Sequence, residues 1–253
     1  LSQSVIARSI IVILLFSVLT PILLYDEKMV EEEPEQLEEI NLLSASGRAK
    51  ANHYLTSAGS TGLEYASVMA GFGLGNIVAG DFGNSATFGQ TTINPTSPYH
   101  TSCAQLAGRY CEFFLGSVSD TGDWDWVVTA DHANGYSFVS DVSAGMAGEA
   151  VIGGSFSGSV QFGIQTITSQ VGDGYLAKTD PFGNFMWAHS HATTGTNNNT
   201  SSVDAVEVDF NGDIVIAGSF DGNTDFGGTI LNAALPSLYV AKYDGNNGQL
   251  IWV

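Results

Sequence analysis

A ten-residue pattern occurs three times in this chain of 253 residues, and this self-similarity constrains the fold more than any other feature. The pattern has the form G-[SD]-F-x-[GN]-x-x-x-F-G and occupies residues 80–89, 154–163 and 218–227. An alternating apolar run precedes each copy, a second such run follows it, and a tryptophan comes last. The sequence therefore predicts three consecutive structural repeats, at residues 64–130, 137–192 and 203–253.

Copy three shows the strand pattern most clearly. Strands are predicted at residues 203–208, 214–220, 238–243 and 250–253. Asn-Gly and Asp-Gly pairs stand between them, and these dipeptides favour tight hairpins. Four antiparallel strands repeated at this spacing are typical of β-propeller blades. The predicted fold class is therefore all-β, a β-propeller with three visible four-stranded blades within residues 51–253.

Recurring aromatic residues are predicted to pack between neighbouring blades. The two phenylalanines of the motif, interpreted as flanking a turn, and the final tryptophan are present in every copy. These residues are Phe82, Phe88, Trp126, Phe156, Phe162, Trp187, Phe220, Phe226 and Trp252. A binding residue is more often confined to one copy, so the recurrence indicates a structural role. The motif glycines are predicted at positive φ or where two backbones approach closely.

The strongest resemblance comes from copy three. It combines Gly-Ser-Phe at residues 218–220, Phe-Gly-Gly-Thr at 226–229, Ala-Lys at 241–242 and Trp252. This pattern resembles the SBBP-type β-propeller repeats of secreted and surface-anchored prokaryotic proteins. The resemblance implies a fold and an extracytoplasmic location, and it implies no catalytic residues. Copy one departs from it, with Gly-Ser at 116–117 in place of Ala-Lys.

Three blades are fewer than the 4–8 that usually close a propeller. An open arc would leave blade faces exposed as an apolar patch. The chain begins with Leu1 and stops one residue after Trp252. We therefore expect a fragment of a larger ring, with assembly of several copies as the alternative. In both cases, further blades or copies are the expected partners of the repeats.

An apolar segment near the N-terminus predicts export. Residues 9–25 carry no charge, Arg8 stands before them, and Asp26 and Glu27 follow. Residues 1–25 are predicted as a hydrophobic helix, either an uncleaved transmembrane anchor or a cleaved signal peptide. Both alternatives place the repeats on the extracytoplasmic side, at the cell membrane or secreted. Residues 26–50, rich in glutamate, are predicted as an acidic stalk.

Copy one carries an insertion. From the last phenylalanine of the motif to the next strand aromatic there are 26 residues in copy one and 13 in the other two copies. Cys103 and Cys111 lie in or beside this insertion, and in an exported domain they are predicted to form a disulfide. The loop at residues 94–111 is the most distinctive one, so ligand binding is expected there first.

A calcium hypothesis rests on copy three. Asp221, Asn223 and Asp225 follow the D-x-N-x-D spacing of calcium loops, although Phe226 stands where such loops have glycine. A plain acidic turn is the alternative. Two weaker candidates lie elsewhere. His189 and His191 alternate on one predicted strand and could be part of a metal site. A cation or sugar site is the hypothesis for the cluster of Asp120, Asp123, Asp125 and Asp131, of which Asp123 and Asp125 alternate.

Composition excludes one class of partner. The chain holds 7 Lys and Arg against 26 Asp and Glu, a net charge of −19, whereas nucleic-acid binding needs clustered basic residues. Membrane contact is expected only through the N-terminal helix. The sequence contains no nucleophile elbow and no phosphate-binding glycine loop with its lysine. The predicted function is a non-enzymatic binding or adhesion scaffold for a surface protein or a glycan, with calcium as the one candidate cofactor.

Two alternatives stay open. Residues 244–252 have the form D-x-x-x-G-x-x-x-W, which is similar to the tryptophan-docking blades of PQQ-dependent quinoprotein dehydrogenases. Copies one and two are one residue too short for that form. The third hypothesis is a structural component of a surface layer, which predicts self-assembly without a ligand.

Overall fold

Every described secondary-structure element in this protein is a β-strand, which confirms the all-β prediction for the part of the chain that the structure describes. That structure is a computed structural model, and it describes residues 41–44, 47–50, 58–59, 64–73, 75–96, 112–194 and 200–253. Contacts divide the chain into two units, Leu1–Ala51 and Asn52–Val253. The first unit contains an antiparallel hairpin of β1 (Asn41–Ser44) and β2 (Gly47–Lys50). This hairpin lies within the predicted stalk, where the sequence pattern gave no sign of it.

The second unit begins with repeat 1, a four-stranded antiparallel sheet of consecutive neighbours. Its strands are β4 (Glu64–Phe72), β5 (Gly75–Phe82), β8 (Glu112–Ser119) and β9 (Trp124–Val128). Three short strands form a separate small sheet: β3 (Ala58–Gly59), β6 (Ala86–Phe88) and β7 (Thr91–Ile93). The long connection from β7 to β8 contains the insertion predicted from sequence, and residues 97–111 lie outside the described part.

Repeats 2 and 3 have the same strand order as repeat 1. The strands of repeat 2 are β11 (Tyr136–Ala144), β12 (Ala150–Phe162), β13 (Gln165–Thr179) and β14 (Phe185–Thr194). The strands of repeat 3 are β15 (Ser201–Val208), β16 (Ile214–Asp225), β17 (Ile230–Tyr243) and β18 (Leu250–Trp252). All four strands predicted for copy three are present at the predicted places.

The first glycine of the motif lies opposite a β-bulge in the first strand of each repeat. The bulges fall between Ala66 and Val68, between Val139 and Asp141, and between Val203 and Ala205. The glycines that pair there are Gly80, Gly154 and Gly218. At Gly154 an added Cβ would stand 1.9 Å from the carbonyl oxygen of Phe138, and at Gly218 it would stand 2.0 Å from that of Ser202. Gly154 and Gly218 are therefore required by close backbone approach.

One detail of the sequence interpretation is wrong for repeats 2 and 3. Phe220 and Phe226 do not flank a turn there, because β16 runs through Asp225, and β12 likewise runs through both of its motif phenylalanines. A bulge beside the glycine at positive φ, Gly158 or Gly222, bends the strand without ending it. The hairpin turn follows the second phenylalanine. In repeat 1, β5 does end at its first motif phenylalanine.

A strand segment crosses each boundary between repeats. The short β10 (Asp131–His132) follows repeat 1 in sequence and pairs with β12 of repeat 2, through Val160 and Gln161. At the next boundary, β14 pairs with β13 over most of its length, and its last three residues pair with β16 of repeat 3. We call these two boundaries seam 1 and seam 2. The crossing strands place polar side chains of one repeat inside the next.

Apolar side chains fill both seams. At seam 1, Ile77 and Leu115 of repeat 1 pack in one buried cluster with Val139 and Ile152 of repeat 2. At seam 2, a second cluster joins strands of repeats 2 and 3, including Val151, Leu176, Val203 and Val206. A third cluster fills the other face of repeat 1 with Phe82, Phe88 and Phe114. Burial of this area is the main stabilising contribution to such stacked sheets.

No sheet closes on itself among the described strands, whose order is an open path in each sheet. The predicted hydrophobic helix at residues 1–25 lies outside the described residues. Within the part that the structure describes, no helix is long and apolar enough to span a membrane.

Candidate functional site

A partly open cavity of about 330 Å³ lies at seam 1, beside the start of the insertion. β10 supplies one wall, β12 and β13 of repeat 2 supply the other, and the last described residue before the insertion closes one side. The lining residues are Thr96, Asp131, His132, Ala133, Ser159, Gln161 and Thr166. All but alanine carry a hydrogen-bonding side chain, and Asp131 alone is anionic. The described lining therefore offers several neutral donors and acceptors beside an exposed area that is mostly apolar.

A buried hydrogen-bond network lies behind the cavity wall. His132 Nδ1 is 3.4 Å from Glu112 Oε2, and both side chains are 0% exposed. His132 Nε2 is 2.7 Å from Ser137 Oγ. Thr96 Oγ1 donates to Glu112 Oε2 at 3.2 Å and accepts from the His132 backbone N–H at 2.8 Å. A proton on Nδ1 satisfies this network, because the ring then donates to the carboxylate and accepts from the serine.

The order of contacts, Glu112 to His132 to Ser137, is that of a hydrolase triad, but the surroundings are not. Ser137 is 0% exposed, so its hydroxyl does not reach the cavity. A nucleophile needs a substrate atom next to it. In this geometry the three side chains hold the seam together.

Seam 2 repeats part of this arrangement with different residues. Asp173 occupies the position of Glu112, and Thr193 of the crossing strand occupies that of His132. The backbone N–H of Thr193 donates to Asp173 Oδ1 at 3.0 Å, and its hydroxyl donates to the same oxygen. Ser201, equivalent to Ser137, donates to the carbonyl oxygen of His191 at 2.7 Å. Recurrence at both seams indicates a structural role for the network.

The three calcium candidates lie along β16, and their side chains bond to different groups. Thr200 N–H donates to Asp221 Oδ1 at 2.6 Å, and the N–H groups of the turn after β16 donate to Asp225 Oδ1 at 3.0 and 2.6 Å. Asn223 accepts from the Asn232 side chain. Residues two apart on a strand are about 6.6 Å apart, which spreads the three carboxyl and amide groups instead of gathering them. No cluster of three His, Cys, Asp or Glu side chains suited to a metal occurs among the described residues. The calcium hypothesis stays a prediction.

The two histidines of β14 lie in different surroundings. His191 is buried in repeat 3, with Nδ1 3.2 Å from Tyr239 Oη and Nε2 3.0 Å from Tyr243 Oη. Burial, with a smaller contribution from His189, lowers the pKa of His191 to about 3. His189 stacks at 5.3 Å on Trp187, and burial lowers its pKa as well. Both nitrogens of His191 are engaged with hydroxyls, so its role in the structure is packing.

The acidic residues near β9 serve separate turns and pairs. Asp123 accepts from the Thr121 hydroxyl at 2.9 Å, and Asp125 accepts from Ser117 Oγ at 3.2 Å. Asp131 alone faces the cavity. Asp120 is not one of the residues that line the cavity. Cys103 and Cys111 lie outside the described residues, so the predicted disulfide stays a prediction.

The recurring aromatic residues lie mostly in the core. Seven are 0–6% exposed: Phe82, Phe88, Phe156, Phe162, Trp187, Phe220 and Phe226. Trp126 is half-buried at seam 1, where its Nε1 donates to the Pro181 carbonyl at 2.9 Å. Trp252 is 46% exposed.

The cavity was not found by sequence reasoning, which singled out the insertion beside it. One signal was present: an acid stands at the same repeat position in Glu112 and Asp173, and a serine in Ser137 and Ser201. Among known proteins, no protein-family model matches this chain, and no curated protein matches it.

Proposed function

We propose that the three repeats are consecutive blades of an SBBP-type β-propeller and that the chain is an exported, non-enzymatic binding scaffold. The blade assignment is supported by three four-stranded antiparallel sheets in chain order, each joined to the next by the same crossing strand and apolar seam. Export is supported by the uncharged segment at residues 9–25 and the acids that follow it.

One observation carries the binding function. The side chains that look catalytic, Glu112, His132 and Ser137, fasten seam 1 in the way that Asp173 and Thr193 fasten seam 2. Among the described residues, the cavity in front of them is lined by groups that form hydrogen bonds, with no exposed nucleophile paired with a base. This lining favours binding of a ligand over its chemical conversion.

The ligand that best fits this lining is a neutral glycan. Hydroxyl groups of a sugar both donate and accept, as do the lining side chains Thr96, Ser159, Gln161 and Thr166. A net charge of −19 disfavours anionic ligands over the whole surface. A cavity of about 330 Å³ lies at the lower end of the range for small-molecule sites.

Replacing Gln161 with alanine is expected to weaken glycan binding about 2- to 10-fold, since one net hydrogen bond contributes roughly 0.5–1.5 kcal/mol. Thr166→Ala is expected to act in the same direction. The measurement is isothermal titration of the full chain with oligosaccharides selected on a glycan array. Gln249→Ala is the matched control, because this exposed glutamine lies on the turn before β18, outside the cavity.

Two results would contradict the proposal. Unchanged affinity in both cavity variants would move the binding site elsewhere. Breakdown products of a bound glycan, detected by mass spectrometry, would make the chain an enzyme and would reopen the roles of Glu112 and His132.

A further inference from the structure

Repeat 3 presents to solvent the same face that repeats 1 and 2 bury at their seams. Three positions of each repeat build the seams. One lies on the second strand, one on the third strand, and the third is the final tryptophan. In repeat 2 these are Val151, Leu176 and Trp187, which are 0%, 0% and 4% exposed. In repeat 1 the first two are Ile77 and Leu115, both 0% exposed.

The equivalent residues of repeat 3 are Val215, Val240 and Trp252. The equivalence is structural, since Trp187 pairs with Lys178 and Trp252 pairs with Lys242 at the same register. Val240 is 43% exposed and Trp252 is 46% exposed, while Val215 is half-buried. Leu238, two residues before Val240 and on the same face, is 81% exposed. We call Val215, Leu238, Val240 and Trp252 the outer face of repeat 3.

The seam tryptophans show what the outer face lacks. Trp126 packs on Gly183 in the last turn of repeat 2, where an added Cβ would stand 2.7 Å from the indole. Trp187 packs on Gly248 in the last turn of repeat 3, where an added Cβ would stand 3.0 Å from it. Both contacts use a glycine of the following repeat. Trp252 has the corresponding position, and in this structure it borders solvent.

Lysine contacts follow the same pattern. Lys178 Nζ crosses seam 2 and donates to the carbonyl oxygen of Gly245 in the last turn of repeat 3, at 2.9 Å. The equivalent Lys242 pairs within its own repeat, with Asp209 and Asp213, each at 2.9 Å. The hydrogen bond that would cross a third seam is replaced by two partly exposed ion pairs within repeat 3. Such surface pairs contribute little to stability.

We propose that the outer face of repeat 3 binds a further four-stranded unit of this same repeat, an inference that rests on the proposed propeller. The face continues an interface that the chain has already formed twice. Its second strand carries Ala217 where repeat 1 carries Ala79 and repeat 2 carries Gly153. Because Ala79 is fully buried in the cluster that spans seam 1, an alanine at this position accommodates the first strand of an incoming repeat.

A second copy of this chain is the alternative occupant, which the test must distinguish. Repeat 1 buries Phe82, Phe88 and Phe114 on the face that would receive the outer face. On its first strand, however, Met69 is 64% exposed, whereas the equivalent Val206 is 5% exposed at seam 2, so this receiving face is only partly covered. A unit that brings a free receiving face and a glycine turn for Trp252 satisfies every contact named above.

The test adds such a unit to the full chain. A second copy of residues 128–194 is joined directly after Val253, which reproduces the native spacing between Trp126 and repeat 2. Hydroxyl-radical footprinting with mass spectrometry then measures oxidation of Leu238 and Trp252 in both proteins. We expect oxidation of Leu238 and Trp252 to fall about tenfold, toward the burial of their equivalents Phe113 and Trp187 at the existing seams. Phe210, which is 91% exposed on the turn before β16, is the internal control and should not change.

A variant separates docking from mere attachment. Val240→Asp should leave the thermal midpoint of the original chain unchanged, because residue 240 already contacts water, and it should abolish protection of Leu238 in the extended protein. Equal oxidation of Leu238 with and without the added unit would overturn the proposal. Protection of Leu238 in the original chain, together with a dimer in sedimentation velocity, would overturn it in favour of self-association. Glycan binding at seam 1 is measured separately, so failure of one proposal does not mimic failure of the other.

Discussion

Replacing Gly154 with alanine is expected to lower the free energy of unfolding by about 3 kcal/mol, a large effect for one methyl group. The added Cβ would stand 1.9 Å from the carbonyl oxygen of Phe138, and backbone atoms of a paired strand do not move aside as a flexible side chain does. The strand must separate from β11 at the bulge, where the repeat also forms seam 1. Denaturant unfolding followed by circular dichroism measures the loss.

A matched control exists in the same fold. Gly71 also lies in a paired strand, and a Cβ added there would meet Asn76 Oδ1 at an ordinary 3.6 Å. Gly71→Ala is therefore expected to change the free energy of unfolding by no more than about 0.5 kcal/mol. Gly218→Ala should repeat the loss seen at Gly154, because its Cβ would stand 2.0 Å from the Ser202 carbonyl oxygen. Similar stability of the Gly154 and Gly71 variants would contradict the role assigned to the motif glycine.

Replacing His191 with phenylalanine is expected to remove a large part of the acid sensitivity of the protein. The folded-state pKa of His191 is about 3, below the ordinary value of 6.5, because burial disfavours the charged ring. Between these two pH values the unfolded chain binds one more proton than the folded chain. Stability therefore falls as the pH falls from 6.5 towards 3, and this one group accounts for about 3 kcal/mol by pH 4.

The variant is designed to keep its neighbours satisfied. Once the imidazole is gone, each tyrosine hydroxyl has a carbonyl acceptor within reach: Ser202 at 2.8 Å for Tyr239 Oη and Phe226 at 3.0 Å for Tyr243 Oη. A phenyl ring fits the aromatic surroundings, since the imidazole already lies 5.1 Å from the Phe226 ring. At pH 7 the variant should resemble the parent within about 1.5 kcal/mol. Parallel stability curves for the two proteins between pH 7 and pH 4, from urea unfolding at each pH, would refute the assignment.

The repeat pattern was sufficient to predict the strands, because alternation and hairpin dipeptides are local signals. Strand lengths were less accessible. The predicted strand at residues 214–220 ends six positions short of Phe226, whereas β16 continues to Asp225. A glycine at position 222 favours a turn at this point of the sequence, and Gly222 does have a positive φ of 69°. The strand nevertheless continues, because β17 pairs with it from Gly222 opposite Ala233 to Asp225 opposite Ile230. Tertiary pairing overrides the local preference of glycine here.

The candidate site could not be predicted from local patterns at all. Thr96 and His132 are 36 residues apart, and they meet only because β10 crosses from repeat 1 to pair with β12. Nothing in a two-residue strand marks it as a crossing strand in the sequence. The recurrence of the acid in Glu112 and Asp173 was the one usable signal, and it pointed to the seam instead of to a ligand. The insertion was singled out from the sequence as a distinctive loop, whereas the described cavity walls lie mostly on regular strands.

β14 belongs to the sheets of both repeat 2 and repeat 3, and this sharing affects how the two repeats resist mechanical force. Tension applied across seam 2 loads the three backbone pairs that join Ala192, Thr193 and Thr194 to β16, along the length of the strands. Antiparallel strands loaded in this direction must break several hydrogen bonds together instead of one after another. Repeats 2 and 3 therefore transmit force to each other through one continuous hydrogen-bonded sheet. Seam 1, where the candidate cavity lies, has no such shared strand among the described residues, because β10 pairs only with β12 and the sheet of repeat 1 stands apart.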